Sequence, residues 1–437
     1  MLFDMQPAPR LPRHGHAVDA TNDSRAVIAF VRLLHRLGVR DEADIAGRAD
    51  GPALTMRTVL VVQPSLQPPC GGNGVGAWIL QALRHDYRLT LLTWRPVDLA
   101  QVNDFFGTSL QPSDVTPLTP ARCVRAPLDA LPLPLLALRT SVLRRRAKRI
   151  APRFDVVIGV QNEADFGRPG IQFVHYPARR VPPLPVDLRW YHTAGAMALY
   201  ERCWSLIDRF DDASMRTNVT LVNSQWTGRL VSQVHGLPAQ VLYPPAPGRF
   251  DAIPWAARED GFVCVGRLSP EKRVEDAIDI VGRVRQTRPG AHLHIVGADD
   301  HPTYPGTIRA LARRAGAWVT VEGTLAAPAL AALLSRHRYF IHAMRQEHFG
   351  IGVAQALRAG CIPFVFDDGG QVEIAGDEPL LRYRSSDDAA AKILAVMRDG
   401  DLQDALGARL AARGERFSPE CFMARIRDVV SAATPRR

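Results

Sequence analysis

Short apolar runs alternate along the chain with stretches whose apolar positions recur every three to four residues. Arg57–Gln63 (RTVLVVQ) reads as a first buried strand, and Leu89–Thr93, Val156–Val160, Ile171–His175 and Val219–Asn223 follow, with helical patterns between. A second series begins after Val241–Tyr243: Gly261–Val265, His292–Val296, Trp318–Glu322, Tyr339–His342, Ile362–Phe366 and Leu380–Tyr383. This alternation predicts α/β architecture with two doubly wound parallel sheets, whose ligands bind at the carboxyl ends of the strands. The predicted units are an extension over residues 1–55 with an amphipathic helix at Ser24–Val39, a Rossmann-like domain over 56–243, a linker over 244–260 around Pro244-Pro245-Ala246-Pro247-Gly248, a second Rossmann-like domain over 261–417, and a C-terminal helix in 418–437. A length of 437 residues agrees with two cores rather than one.

Apolar content of 46% and charged content of 22% exclude a fibre or a mostly disordered chain. The net charge of +10 comes almost wholly from arginine, since Lys148, Lys272 and Lys392 are the only lysines. No helix-turn-helix, zinc-finger or RNP pattern accompanies that charge, so no nucleic-acid partner is expected. The six cysteines include no Cys-x-x-Cys pair, which predicts reduced thiols in a cytoplasmic protein. Met1–Asp19 lacks the apolar core of a signal peptide, and Leu131–Leu138 is too short to span a bilayer. The cationic stretch Arg139–Arg149 reads either as a solvated helix face or as a patch docking to anionic lipid at the inner face of the membrane.

Gly266-Arg267-Leu268-Ser269-Pro270-Glu271-Lys272 follows a strand and places two cations over one point. Arg267 can grip a diphosphate with two hydrogen bonds and Lys272 can act as a point charge, both strengthening as charge builds on a leaving group. Tyr339–His342 feeds a second loop, Glu347-His348-Phe349-Gly350-Ile351-Gly352, with a helix over Ile351–Ala359. The Phe349, Gly350 and Ile351 amides offer an anion- and hydroxyl-binding edge there. Glu347 can accept from sugar hydroxyls and Gln355 can reach a ribose diol. In the first domain Cys70-Gly71-Gly72-Asn73-Gly74 reads as a bare loop before a helix at about Gly76–His85, with Gly71 and Gly72 toward a donor and Asn73 on the acceptor side. A dinucleotide fingerprint fails there, because a Pro-rich stretch separates the glycines from the strand and no acidic residue ends the second strand. His175 ends a strand at the same edge, and Ser224 is an acceptor-side candidate or a helix cap. No metal site is expected: Asp399-Gly400-Asp401 falls between helical segments, as a solvated turn.

The segment Glu347 to Gln355, with Phe349-Gly350 inside it and Gly360 and Pro363 after, resembles the signature of retaining glycosyltransferase family 4, which pairs it with a Gly-Arg…Lys element like Arg267/Lys272. Val174-His175-Tyr176-Pro177, Val222-Asn223-Ser224-Gln225-Trp226-Thr227 and Val241-Leu242-Tyr243-Pro244-Pro245 are similar in wording to dolichol-linked α-1,2-mannosyltransferases of that family. The resemblance runs from about Arg57 to Ala433. It implies a GT-B fold, two Rossmann-like domains facing a cleft, and transfer of a hexose, mannose favoured, from a nucleotide-sugar such as GDP-mannose or a UDP-sugar to a glycan or lipid-linked acceptor. It implies His175, Arg267, Lys272 and Glu347 as catalytic residues, Gly71, Gly72, Gly266, Phe349, Gly350, Ile351 and Gln355 as donor contacts, and no metal cofactor. The family has glutamate where this chain has Gln355, which keeps one accepting oxygen but not the charged grip. That departure leaves open a binding protein without catalysis. A GT-B epimerase is a further alternative, and a phosphorylase is disfavoured because Lys392 is a poor pyridoxal-phosphate lysine.

Overall fold

All four residues of Val156–Gly159 and of Ile171–Val174 are buried, as strands covered on both faces by helices require. The computed structural model describes residues 56–130, 136–179, 202 and 205–434; the expected helix Ser24–Val39 and Cys203 lie outside them. The first sheet contains β1 (Thr58–Val62), β2 (Arg88–Leu92), β3 (Val115–Leu118), β4 (Val156–Gly159), β5 (Ile171–Val174), β6 (Val219–Val222) and β7 (Gln240–Val241), in the order β3-β2-β1-β4-β5-β6-β7. The second contains β8 (Glu259–Val265), β9 (His292–Val296), β10 (Val319–Gly323), β11 (His337–His342), β12 (Ile362–Phe366) and β13 (Arg382–Tyr383), in the order β10-β9-β8-β11-β12-β13. All pairings are parallel.

Both sheets therefore reverse direction after their first strand, at β1/β4 and β8/β11. The loops at those switch points are where a doubly wound sheet opens a crevice. They carry Gly71–Gly74 after β1, Gly266–Lys272 after β8 and Glu347–Gly350 after β11. The candidate residues thus reach the cleft by topology, although they are scattered in sequence.

One local reading differs from the structure, one strand went unread, and the expected C-terminal helix is present. The helix after β1 runs Gly71–Leu83, so Gly71 to Gly74 form its first turn rather than a loop. β3 has one fully buried residue and a proline, Val115–Leu118, a pattern too weak to read as a strand. The C-terminal helix, Pro419–Ala433, packs Phe422, Ile426 and Val430 into the core of the first sheet, and Arg427 Nε donates to Ala82 O at 2.8 Å. The chain thus returns to its first domain at its end. Ala246 in the Pro-rich linker is fully buried in the second core, so that part of the linker is anchored.

Candidate functional site

In the turn after β8 the Lys272 side chain packs beside Gly266, where a Cβ would lie in ordinary contact, 3.4 Å from Lys272 Cδ. Lys272 Nζ donates to Glu347 Oε2 at 2.5 Å, and His342 Nε2 meets the same oxygen at 3.0 Å. Glu347 Oε1 accepts the His348 amide at 3.1 Å. Burial alone would raise the pKa of Glu347, but Lys272 and His342 outweigh it and hold the carboxyl well below its ordinary value. Glu347 is thus an ionised carboxylate fixed at the end of β11.

Arg267 bonds Asp300 and Glu271, the latter at 3.2 Å. Cys70 of the first domain lies close enough to act on it, which places Arg267 at the cleft. Burial is the main reason the His348 pKa is depressed, and Lys272 and Arg267 add to that effect against Glu347. The two cations, Glu347 and His348 therefore share one locality. Gly350 adopts φ +99°, a left-handed conformation that opens the helix Ile351–Arg358 with unpartnered amides. Phe349 beneath it is 2% exposed and stacks on Tyr243 at 5.8 Å, which fixes that edge.

The first domain presses on this edge through small residues. A Cβ on Gly71 would lie 2.9 Å from Ile351 Cδ1 across the cleft, and one on Gly72 would lie 3.3 Å from His175 Nε2. The helix start is therefore bare against both walls, and its first N–H groups lack intrahelical partners. His175 Nε2 lies 3.0 Å from Val160 O, so that nitrogen carries the proton and Nδ1 is the acceptor. Burial pushes the His175 pKa down to about 4, so the ring is neutral at neutral pH.

Three of the candidates have partners within the fold. Asn73 is not free for an acceptor: its Nδ2 donates to Gln67 O at 2.6 Å and its Oδ1 accepts from Gln63 Nε2 at 3.0 Å, bracing the turn after β1. Ser224 is fully buried, caps the helix Gln225–His235 and donates to His348 O at 2.6 Å. It joins the domains rather than facing an acceptor. Gln355 Nε2 donates one of its two N–H groups to Pro247 O in the linker at 2.9 Å, leaving its oxygen and the second N–H for a ribose. A glutamate there would set a carboxylate against a carbonyl oxygen.

Two residues escaped the sequence reading. His348 stacks on Tyr176 (4.6 Å) and on Trp226 (5.9 Å), aromatic contacts that cross between the domains. Glu373 accepts from Gln225 N and Trp226 N, both at 2.8 Å, and from Tyr243 OH at 3.2 Å. A second-domain carboxylate thus caps a first-domain helix, the favourable end of its dipole.

The cationic stretch Arg139–Arg149 turns largely into its own domain. Lys148 bonds Asp165 at 2.5 Å, Arg139 lies 3.4 Å from Asp129, Arg144 lies 3.7 Å from Asp208, and Arg146 donates to Thr119 O at 2.6 Å. These charges are spent within the fold, and only Arg149 of the stretch is exposed. Among the described residues no helix is long and apolar enough to cross a membrane. Asp399 caps the helix Gly400–Gly414 at Leu402 N, so Gly400 and Asp401 form the first turn of a helix rather than a solvated turn.

Residues 250–413 match the family described as Glycosyl transferases group 1. Over 229 residues the chain is 27% identical to GDP-Man:Man(3)GlcNAc(2)-PP-Dol alpha-1,2-mannosyltransferase of Yarrowia lipolytica, a match covering 46% of this chain and 36% of that relative. The chain thus spans about a third of the length of the curated relative it matches. In three dimensions it is similar to HepE of Anabaena, solved with UDP and glucose, at a TM-score of 0.59 and 16% identity, covering 86% of this chain and 99% of that one. Sucrose-phosphate synthase of Thermosynechococcus elongatus gives a TM-score of 0.60 at 14% identity, covering 86% and 98%. Residues 250–413 are thus similar to a group 1 glycosyltransferase domain, and the two parallel sheets share the GT-B fold of these solved structures.

Proposed function

We propose that this protein is a retaining hexosyltransferase that moves a hexose, mannose in first place, from a nucleotide-sugar to a glycan or lipid-linked acceptor. The observation that carries this reading is the Lys272–Glu347 ion pair at the β8/β11 switch point, with Arg267 close enough to act with Lys272 on His348. Arg267 and Lys272 bind the diphosphate, exchanging their present carboxylate partners for phosphate oxygens. Glu347 and the Phe349–Gly350 edge hold the hexose hydroxyls, and the oxygen of Gln355 takes one ribose hydroxyl. The acceptor hydroxyl attacks the anomeric carbon on the face from which phosphate departs. The anomeric C–O bond to phosphate breaks, and the departing phosphate oxygen takes the acceptor proton. Arg267 and Lys272 stabilise the charge that grows there, so their effect falls on the transition state. No divalent ion at the diphosphate is required in this reading. The mannosyl preference rests on the GDP-mannose named for the Yarrowia relative.

The test is a thermal-shift panel of GDP-mannose, UDP-glucose and ADP-glucose, followed by assay of transfer and of acceptor-free turnover. A ligand at a hundred times its Kd stabilises by about 2.7 kcal/mol. One of these donors should raise the melting temperature of the wild type and not of Lys272→Ala. Conversion of the sugar without an acceptor makes the protein an epimerase, and binding without either reaction makes it a scaffold. No shift with any donor overturns the assignment of the site.

A further inference from the structure

The strands of the second sheet end at the cleft; at their other end a separate group of side chains converges. β9 begins His292-Leu293-His294, and alternation along a strand puts both histidines on one face. β11 begins at His337. β8 lies between them and offers Gly261 opposite His292 and Glu259 opposite His337. Ring nitrogens of His292, His294 and His337 all lie within 4.8 Å of one another.

The hydrogen bonds around the group decide which nitrogens hold protons. His337 Nδ1 lies 2.7 Å from Leu333 O and His292 Nδ1 lies 3.4 Å from Gly290 O. A carbonyl can only accept, so both Nδ1 atoms are donors and both Nε2 atoms present lone pairs. Those two lone pairs face each other at 3.2 Å. His294 Nδ1 is held by the Glu322 carboxylate at 2.6 Å, which likewise leaves its Nε2 as the acceptor. Opposed lone pairs at that distance repel unless a cation sits between them. Each imidazole is thus oriented by an oxygen on its far nitrogen, as metal-bound histidines are.

The distances fit an ion as well. Zinc–nitrogen bonds of about 2.0–2.1 Å in a tetrahedron set ligand atoms roughly 3.3–3.4 Å apart. His292 Nε2 and His337 Nε2 are 3.2 Å apart, and Glu259 Oε2 stands 3.4 Å from the first and 3.8 Å from the second. Gly261 leaves the space that the rings use: a Cβ there would meet His292 Nε2 at 2.3 Å and His337 Cδ2 at 2.5 Å.

We propose that His292, His294 and His337, with Glu259 as fourth ligand, form a structural site for a zinc-class divalent ion that staples β8, β9 and β11 at the end remote from the cleft. Three imidazoles and one carboxylate suit zinc among the divalent metals. The site is separate from the proposed chemistry: His337 and His342 bound the six-residue β11, roughly 17 Å apart at strand rise. Four closed ligands leave no position for substrate, so the role is to hold the sheet.

The experiment uses untagged full-length protein stripped with a chelator, then equilibrated with Zn2+ and desalted. Metal content and melting temperature are read for the wild type, His292→Ala, Gly261→Ala and Glu322→Gln. The wild type should retain one zinc per chain and melt higher with it. His292→Ala and Gly261→Ala should lose both effects, while the metal-free form of His292→Ala melts near the metal-free wild type. Glu322→Gln, which weakens the orientation of His294, should bind about 10–100-fold less tightly. Wild type that retains no zinc overturns the proposal, as does retention in His292→Ala and Gly261→Ala equal to the wild type.

Discussion

Replacing Lys272 with methionine keeps the side-chain length and removes the charge that neutralises Glu347. Glu347 is 8% exposed, and its remaining partners are His342 Nε2 at 3.0 Å and the His348 amide at 3.1 Å. His342 cannot replace the lysine at neutral pH, because burial holds its pKa below the ordinary value despite Glu347. The carboxylate is left as a buried ion without a full cation, a loss of about 3–5 kcal/mol. In a domain of 150–250 residues each kcal/mol moves Tm by about 2–4 °C, so the second domain should melt roughly 6–20 °C lower. Lys272→Met/Glu347→Gln should regain much of this, because an amide needs no counter-ion. The pH dependence has a definite sign. The Glu347 pKa is depressed in the fold, so its contribution is present above the ordinary carboxyl pKa and fades as pH falls through the depressed one. Acid should therefore narrow the gap between the wild type and Lys272→Met. Denaturant unfolding of the four members of the cycle measures the coupling. Single effects that sum to the double within about 0.5 kcal/mol refute the buried pair.

Three further outcomes follow from the cleft. Glu373→Ala removes three hydrogen bonds between domains; bonds to a charged acceptor contribute about 1.5–3 kcal/mol each, so solution scattering should show a larger radius of gyration and KM should rise. Gln355→Glu exchanges a donor to Pro247 O for a carboxylate beside it; stability should fall by about 1–3 kcal/mol in urea unfolding while the affinity for a ribose-bearing donor rises. His175 titrates at about 4 in the fold against 6.5 ordinarily, so its contribution is complete above pH 6.5 and lost toward pH 4. In His175→Gln, the urea midpoint should fall less than in the wild type between those values.

Most of the strands, the two parallel sheets and the loops that bear Arg267, Lys272 and Glu347 were legible because short buried apolar runs alternate with helical patterns in both halves. What escaped were partners set by tertiary contact. Asn73 and Gln355 carry side chains suited to a ligand, yet their amides meet carbonyls, from Gln67 and from the distant Pro247. His348 and Glu373 gain their positions from Tyr176, Trp226 and the helix at Gln225 in the other domain. The final helix has an ordinary amphipathic pattern that says nothing of which domain it covers. The three histidines carry no close spacing like that of a zinc finger: His337 is forty-three residues beyond His294 and meets it only through strand order.

The central claim is that a departing diphosphate rests between Arg267 and Lys272. A crystal structure with a nucleoside diphosphate tests it most directly. Phosphate oxygens should lie within hydrogen-bond distance of both side chains, with the Asp300 and Glu347 pairs loosened or shared. Phosphates bound away from both cations, with those ion pairs intact, would contradict it.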